Sequence, residues 1–327
     1  MEPFSEWIHT LPPGFLLRHP TPDDLQGVTG LIIATDKAEH GTSDFSKEDL
    51  LTDWKRPGYD LANDAWVVVA PDGLIVGYED VWNRSNHTHL AGDGYVHPEY
   101  TDMGIGTILL RVMEARARQH IPLAPLEARV SIRNGVHGSD QRARRLHENE
   151  GYRAIRYFWR MEIEMTTPPP RLEWPQGIWV RNFVPGQDER AVFDAFEEAF
   201  RDHWGYTPWD YELYKQRMYE KQNMDPTLYF LAMDGEQIAG GCLSSYRQEA
   251  GWVNQLAVRR PWRRLGLGLA LLYQAFNSFY QRGTRKVGLG VDAGNPTGAT
   301  RLYERAGMHL AHEYNVYEKE LRPGNET

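Results

Sequence analysis

The stretch "RRPWRRLGLGLALL", residues 259–272, decides how this chain reads. Two glycines, Gly266 and Gly268, stand two apart where an apolar run begins, with four arginines before them. Glycine costs a helix about 1 kcal/mol relative to alanine, so two at a helix start call for a reason. A glycine-rich turn entering a helix offers unbonded backbone N–H groups and the positive end of the helix dipole. That pairing suits an anion, most often a phosphate, and glycine lets a ligand approach the backbone closely. Arg263 and Arg264 would add positive charge at the rim. The loop is therefore expected to take a pyrophosphate.

The device occurs twice. "HPEYTDMGIGTILL", residues 97–110, also sets G-x-G before an apolar run, and Gly266 follows Gly104 by 162 residues (266 − 104). Val96 and Val258 stand at matching distances before the loops, as do Tyr100 and Trp262. Two packing glycines would explain one loop, but they explain the arginine spacing and the repeat less well. Neither loop is followed by G-K-[ST], and the third glycine of a dinucleotide fingerprint is replaced by Leu109 and Leu271. A Walker loop is excluded and a Rossmann reading is weak.

At 327 residues, two domains are the default expectation. A proline cluster, "TTPPPRLEWPQG" at 166–177, breaks the pattern near the middle. Three consecutive prolines continue neither a helix nor a central strand. The expected division is 1–166, a linker over 167–176, and 177–327. Each half reads in the same order: strand, helix, hairpin, strand, glycine loop, helix, strand, helix, strand. That is a mixed α/β pattern rather than a purely parallel one.

The net charge of −9 argues against nucleic acid and mildly favours a cationic substrate, though solubility alone explains it. No apolar run approaches the roughly 20 residues that span a bilayer, so no membrane partner is expected. The opening residues lack a secretory pattern, and the only cysteine, Cys242, permits no internal disulfide. A cytoplasmic monomer or homodimer without a metal is expected.

Residues Arg263 to Gly268 fit R/Q-x-x-G-x-G/A, and "NPTGATRLYERAGM", residues 295–308, resembles N-x-x-A-x-x-L-Y-x-x-x-G-[FM]. In that order and at that distance, the two signatures resemble those of the GCN5-related N-acetyltransferase (GNAT) superfamily. A chain with two such halves is similar to the tandem acetyltransferases of the mycothiol synthase-like type. The resemblance implies two GNAT-like domains, each a mixed, mainly antiparallel sheet with a splayed central strand pair and flanking helices. It implies acetyl-CoA as co-substrate and acetyl transfer to an amine.

Carried over residue by residue, the resemblance places the cofactor along Leu256, Ala257 and Val258, at Arg263, Arg264, Leu265, Gly266, Leu267, Gly268 and Leu269, and at Asn295. Tyr303 takes the general-acid position, with a core tyrosine as the alternative. Asn295 could instead cap the following helix in its own right. A weaker counterpart in the first half comprises Tyr95, Val96, Met103, Gly104, Ile105, Gly106 and Thr107. There Thr101 and Asp102 replace the arginines, His147 stands in place of Tyr303, and Asp140 in place of Asn295. The second half is therefore expected to be the catalyst and the first to be degenerate.

Asn254 could order a water and Asp292 could serve as base. The aromatic, acidic segment 200–214 offers Asp202, His203 and Trp204 to the substrate, or else is a packed helical hairpin. The leading expectation is an N-acetyltransferase acting on a small primary amine. A peptide or protein acetyltransferase and a non-catalytic acyl-CoA sensor are the alternatives.

Overall fold

In the computed structural model the described residues are 9–43, 45–171, 173–204, 206, 208–220, 224–295 and 298–326. They form two compact units. Unit 1 takes the chain up to Tyr157 and takes it again from Glu313, whereas unit 2 is Phe158–His312.

Unit 1 opens with β1 (Leu16–Arg18) and α1 (Leu25–His40). The Asp24 carboxylate accepts the Thr21 backbone N–H at 2.7 Å just ahead of α1. Gly41 ends the helix in the left-handed conformation, φ 77°. Two short helices follow, α2 (Lys47–Trp54) and α3 (Leu61–Asp64), then β2 (Ala65–Val69), β3 (Ile75–Asp80), β4 (Trp82–Ser85), β5 (His89–Gly92) and β6 (Gly94–Val96). Helix α4 (Ile105–Arg118) buries Ile105, Ile108, Leu109, Val112 and Met113, the i, i+3, i+4, i+7, i+8 stripe of an amphipathic helix. The unit continues through β7 (Val130–His137), α5 (Gln141–Asn149) and the start of β8 (Arg153–Glu164).

Its strands form two rows, β1-β2-β3-β6 and β4-β5-β7 with the final strand β14 (His309–Arg322) beside β7. "HLAGDGYV" reads as one strand in sequence, but it changes partner at Asp93. His89–Gly92 runs parallel to β7, while Gly94–Val96 runs antiparallel to β3. One apolar cluster sits on the α4 side and another on the α1 and α2 side.

Unit 2 holds residues 158–164 of β8, then β9 (Ile178–Asn182), α6 (Glu189–Phe200), α7 (Tyr211–Met218), β10 (Tyr229–Asp234), β11 (Gln237–Arg247), β12 (Ala250–Val258), α8 (Leu267–Gln281), β13 (Lys286–Asp292) and α9 (Ala299–Arg305). The strand order is β9-β10-β11-β12-β13-β8. Every neighbouring pair is antiparallel except β12 with β13. That parallel pair touches only over Gly251, Trp252 and Val253, whereas β12 stays paired with β11 as far as Val258 opposite Gly240. From Asn254 onward one edge of β12 is open. This is the splayed strand pair, and each unit is a mixed α/β layer structure. No helix among the described residues is long and apolar enough to cross a membrane.

The units depart from the 1–166 and 177–327 division expected from the prolines. Residues 158–164 of β8 pair antiparallel with β13 in unit 2, and β14 pairs antiparallel with β7 in unit 1. Each half has given its last strand to the other unit, so the boundary lies ahead of the prolines. The proline segment runs within unit 2 beside Tyr273 and Phe276.

A substitution tests the tightest point of the unit 2 sheet. A β-carbon on Gly240 would stand 2.5 Å from the Ala257 carbonyl oxygen, which is backbone and cannot swing away. Gly240→Ala is expected to destabilise unit 2 by on the order of 1–3 kcal/mol, read as a lower urea midpoint at unchanged slope.

Candidate functional site

The unit 2 loop joins the open edge of β12 to α8. A single helical turn, Arg260–Trp262, leads to Arg264 at φ 65° and Gly266 at φ 83°, and α8 starts at Leu267. The unit 1 loop repeats this backbone residue for residue: a turn at Pro98–Tyr100, Asp102 at φ 61°, Gly104 at φ 80°, and α4 from Ile105. Gly266 and Gly104 are thus required by their positive φ.

The second glycines have another reason. A β-carbon on Gly268 would come within 2.9 Å of Leu302 on α9, and one on Gly106 within 3.1 Å of Leu146 on α5. They admit a neighbouring helix, which corrects their reading as room for a ligand. Gly288 on β13 likewise makes space for the Trp252 ring, 2.7 Å from its would-be β-carbon.

The loop does present donors. Leu269 and Ala270 are the first amides of α8 to find an acceptor, the Gly266 carbonyl, each at 3.1 Å. The amides from Leu265 to Gly268 find none among the described residues. Leu265 is exposed, whereas Leu267 and Leu269 put their side chains in the core and can offer a ligand only backbone.

The arginines are mostly committed elsewhere. Arg259 donates to Glu198 at 2.7 Å. Arg260 and Arg263 both grip Asp202. Arg263 also donates to the Ala199 carbonyl at 2.9 Å and the Val258 carbonyl at 3.1 Å. Three of the four therefore fasten the loop to the last turn of α6 and to Asp202 just beyond it, where cations also meet the negative end of the helix dipole. Arg264 alone is exposed on the loop with no protein anion beside it among the described residues. This corrects two expectations: Arg263 is a fastener rather than rim charge, and Asp202 is its counter-ion rather than a free substrate carboxylate. The two guanidiniums, Arg260 first, hold the Asp202 carboxyl down at about 2. The signal in the sequence was the acidic pair Glu198 and Asp202, one turn apart facing the arginines.

At the open edge, the Arg259 amide reaches the Ala239 carbonyl of β11 at 3.0 Å. Strand alternation turns the Ala257 amide the same way and leaves those of Leu256 and Val258 facing the opening. Tyr303 lies on α9, 8% exposed, with its hydroxyl bonded to no described residue. Burial first, and then the nearby Cys242 thiol, push its pKa well above the ordinary tyrosine value. Burial pushes the Cys242 thiol up to about 12. Asn295 does not cap α9. The cap is Gly298 at φ 73°, and Asn295 instead turns the chain, its N–H on the Asp292 carbonyl at 3.0 Å. Pro296, expected at the first helical position, lies outside the described residues.

His203 packs edge-on against Phe200, ring centroids 4.7 Å apart. Burial lowers its pKa, while Asp292 is the charge that raises it most. The structure thus brings His203, Asp292, Arg263 and Asp202 within electrostatic reach of one another. Trp204 is partly exposed beside them in sequence. Asn254 donates to Ser245 Oγ at 2.9 Å, and Tyr214 donates to Gln255 at 2.6 Å.

In unit 1 the loop carries Asp102, paired with Arg142 at 3.1 Å, and an exposed Met103. Tyr95 and Val96 end β6, and Thr107 lies in the first turn of α4 next to Gly106. His147 is buried. It is 8% exposed between the rings of Tyr152 and Tyr317. Its Nδ1 lies 2.8 Å from the Ala143 carbonyl, so Nδ1 carries the hydrogen and the buried Nε2 is bare.

The sequence model of the Acetyltransferase (GNAT) family matches residues 33–152 and again 190–308. The chain is 32% identical over 226 residues to a mycothiol acetyltransferase of Thermobispora bispora, covering 67% of this chain and 72% of that one. It is 29% identical over 296 residues to one of Salinispora arenicola, covering 88% and 90%. A GCN5-related N-acetyltransferase from Sphaerobacter thermophilus superposes with a TM-score of 0.83 at 43% identity, over 97% of this chain and 99% of that one. A tandem GNAT protein from the clavulanic acid biosynthesis pathway shares the fold, with a TM-score of 0.71 at 16% identity, over 95% and 100%. With both halves matched, the chain belongs to the GNAT family as a tandem acetyltransferase, an enzyme class that works with acetyl-CoA.

Proposed function

We propose that unit 2 transfers the acetyl group of acetyl-CoA to a primary amine of a small molecule, by direct attack within one ternary complex. The observation that carries this is the pairing of a donor loop with the open edge of β12, with Tyr303 within electrostatic reach of Cys242, which lies opposite Leu256 in the ladder. The amides of Leu265 to Gly268 and the guanidinium of Arg264 suit a diphosphate, with no competing protein acceptor among the described residues. The amides of Leu256 and Val258 suit a carbonyl oxygen on which negative charge grows. When bound, acetyl-CoA supplies a thioester carbonyl and a thiolate leaving group.

Tyr303 holds a proton throughout the physiological range because burial disfavours its anion. His203, kept neutral by burial beside Asp292, is the group able to take the proton that the amine loses. Unit 1 lacks the acid: the one ring hydrogen of neutral His147 is spent on Ala143. That supports unit 2 as the active one. A cytoplasmic setting fits the single, buried Cys242.

A panel of small amines and a basic peptide, assayed with acetyl-CoA by release of free thiol, tests the reading. Thiol release matched by acetylated small amine is the expected result. Release with the peptide alone would make the protein a peptide acetyltransferase. Acetyl-CoA binding without release on any acceptor would make it a sensor.

A further inference from the structure

Where β12 leaves β13, its alternation is reset. Leu243 of β11 stands opposite Gln255 while Ser244 stands opposite Val253, so Asn254 is an extra residue in that ladder. Val253 and Leu256 therefore both pack on the α8 side, and Ala257 on the side of α6 and α7. Gln255 shares the face of Ala257.

On that face the buried Tyr214 of α7 donates to Gln255 Oε1 at 2.6 Å. Tyr214 is itself fixed edge-on by three rings, Phe193 at 5.1 Å, Tyr219 at 5.6 Å and Trp209 at 6.2 Å. Burial holds its hydroxyl proton past the ordinary tyrosine range, so it stays the donor. A side-chain amide has one accepting oxygen and one NH2. With the oxygen taken, Nε2 of the half-buried Gln255 donates to no described residue. A glutamate would accept from Tyr214 equally well, and the amide adds two donors.

Across the splay, β13 is bare on the same face. Val287, Leu289 and Val291 pack on the α8 side, which leaves Gly288, Gly290 and Asp292 on the other. The Trp252 ring covers Gly288. A β-carbon on Gly290 would meet no described atom within 4 Å, and Gly290 has no positive φ to require glycine. A strand glycine of that kind leaves room for a close approach. Val253 lies opposite Leu289, so Gln255 and Gly290 stand just past the last paired residues, on the two banks of the opening. Asp292 comes next on the Gly290 face, within electrostatic reach of His203. An acid there disfavours an anion, and a group that only donates calls for an acceptor.

We propose that Gln255 selects the acceptor substrate: its Nε2 donates to a neutral oxygen (carbonyl, ether or hydroxyl) carried by the amine, whose body lies over Gly290. The inference rests on the assignment of acetyl transfer to unit 2.

Two pairs of amines that differ by one oxygen test it: 3-methoxypropylamine against pentylamine, and 2-methoxyethylamine against butylamine. In at least one pair, Gln255→Met is expected to lower the ether-to-alkyl ratio of kcat/KM by about 3–10-fold, the worth of one neutral hydrogen bond. Gln255→Glu keeps an acceptor for Tyr214 but loses the donors, and the same fall is expected. It carries the test should Gln255→Met fail to fold. Structural damage alone would slow both members of a pair and leave their ratio in place. Ratios that neither substitution moves would overturn the inference and leave the transfer itself standing. Should none of the four amines be acetylated, transfer to small amines fails separately, and dissociation constants from calorimetry supply the same ratios. A fall in those ratios then supports Gln255 as the selector, and no fall or no heat overturns it.

Discussion

Turnover of the Tyr303→Phe enzyme is expected to fall by about 10²–10⁴-fold, the usual worth of a positioned general acid, while acetyl-CoA affinity and melting temperature stay where they were. The two unchanged quantities make the test specific. The Tyr303 hydroxyl bonds to no described residue, so its removal breaks no hydrogen bond among them. A tyrosine with a raised pKa would ordinarily be a poor donor to a thiolate, since free thiols sit near pKa ~8.5. The same pocket, however, raises thiols too: Cys242, which Tyr303 feels, is pushed up to about 12 by burial. In the proposed reaction, a leaving thiolate desolvated there would be a stronger base, better matched to the phenolic proton. The raised pKa also keeps the acid protonated on the alkaline side. The falling limb of the pH–rate profile is therefore expected to lie above the ordinary tyrosine value. Full activity in Tyr303→Phe would remove Tyr303 from the reaction.

Ending the chain at His312 is expected to unfold unit 1 and to spare unit 2. The lost strand pairs with β7 from Tyr314 to Arg322. It carries Tyr317 and Leu321 into the core of unit 1, worth about 1.5–3 kcal/mol each. It also carries Glu318, which accepts from Arg129 at 2.6 Å and from Arg133 at 2.8 Å. Deleting one partner of such a pair costs roughly 3–5 kcal/mol when the other is buried. These losses are comparable with the whole stability of an ordinary domain, about 5–15 kcal/mol. Hydrogen exchange should show α4 and β2 deprotected, while α8 and β12 keep their protection and the chain still binds acetyl-CoA. Loss of protection in unit 2 as well would show that the units do not fold separately.

The site was legible to different depths. The loops were visible because a left-handed glycine before an apolar run leaves few alternatives, and Gly104 and Gly266 both adopt it. Their companions misled. Gly268 and Gly106 face Leu302 and Leu146, residues far along the chain that no local pattern connects to them. The arginines suggested phosphate because composition records charge and not its partner. Glu198 on α6 and Asp202 just past its end neutralise three of the four.

The sequence by itself determined the tandem arrangement, the two helix-entry loops and the family, since all of these rest on spacing within short windows. Tertiary structure decided which last strand serves which half. "RYFWRMEIE" in β8 and "EYNVYEKEL" in β14 alternate alike, so either would satisfy an open strand edge by its local pattern. The choice was made by partners distant in sequence: β13 for the first, with Lys286 on Glu162 at 2.7 Å, and β7 for the second, with Arg129 and Arg133 on Glu318. Strand pairing is a contact between backbones, and backbones are the same everywhere along a chain. Only the side chains that meet across the finished ladder tell one partner from another.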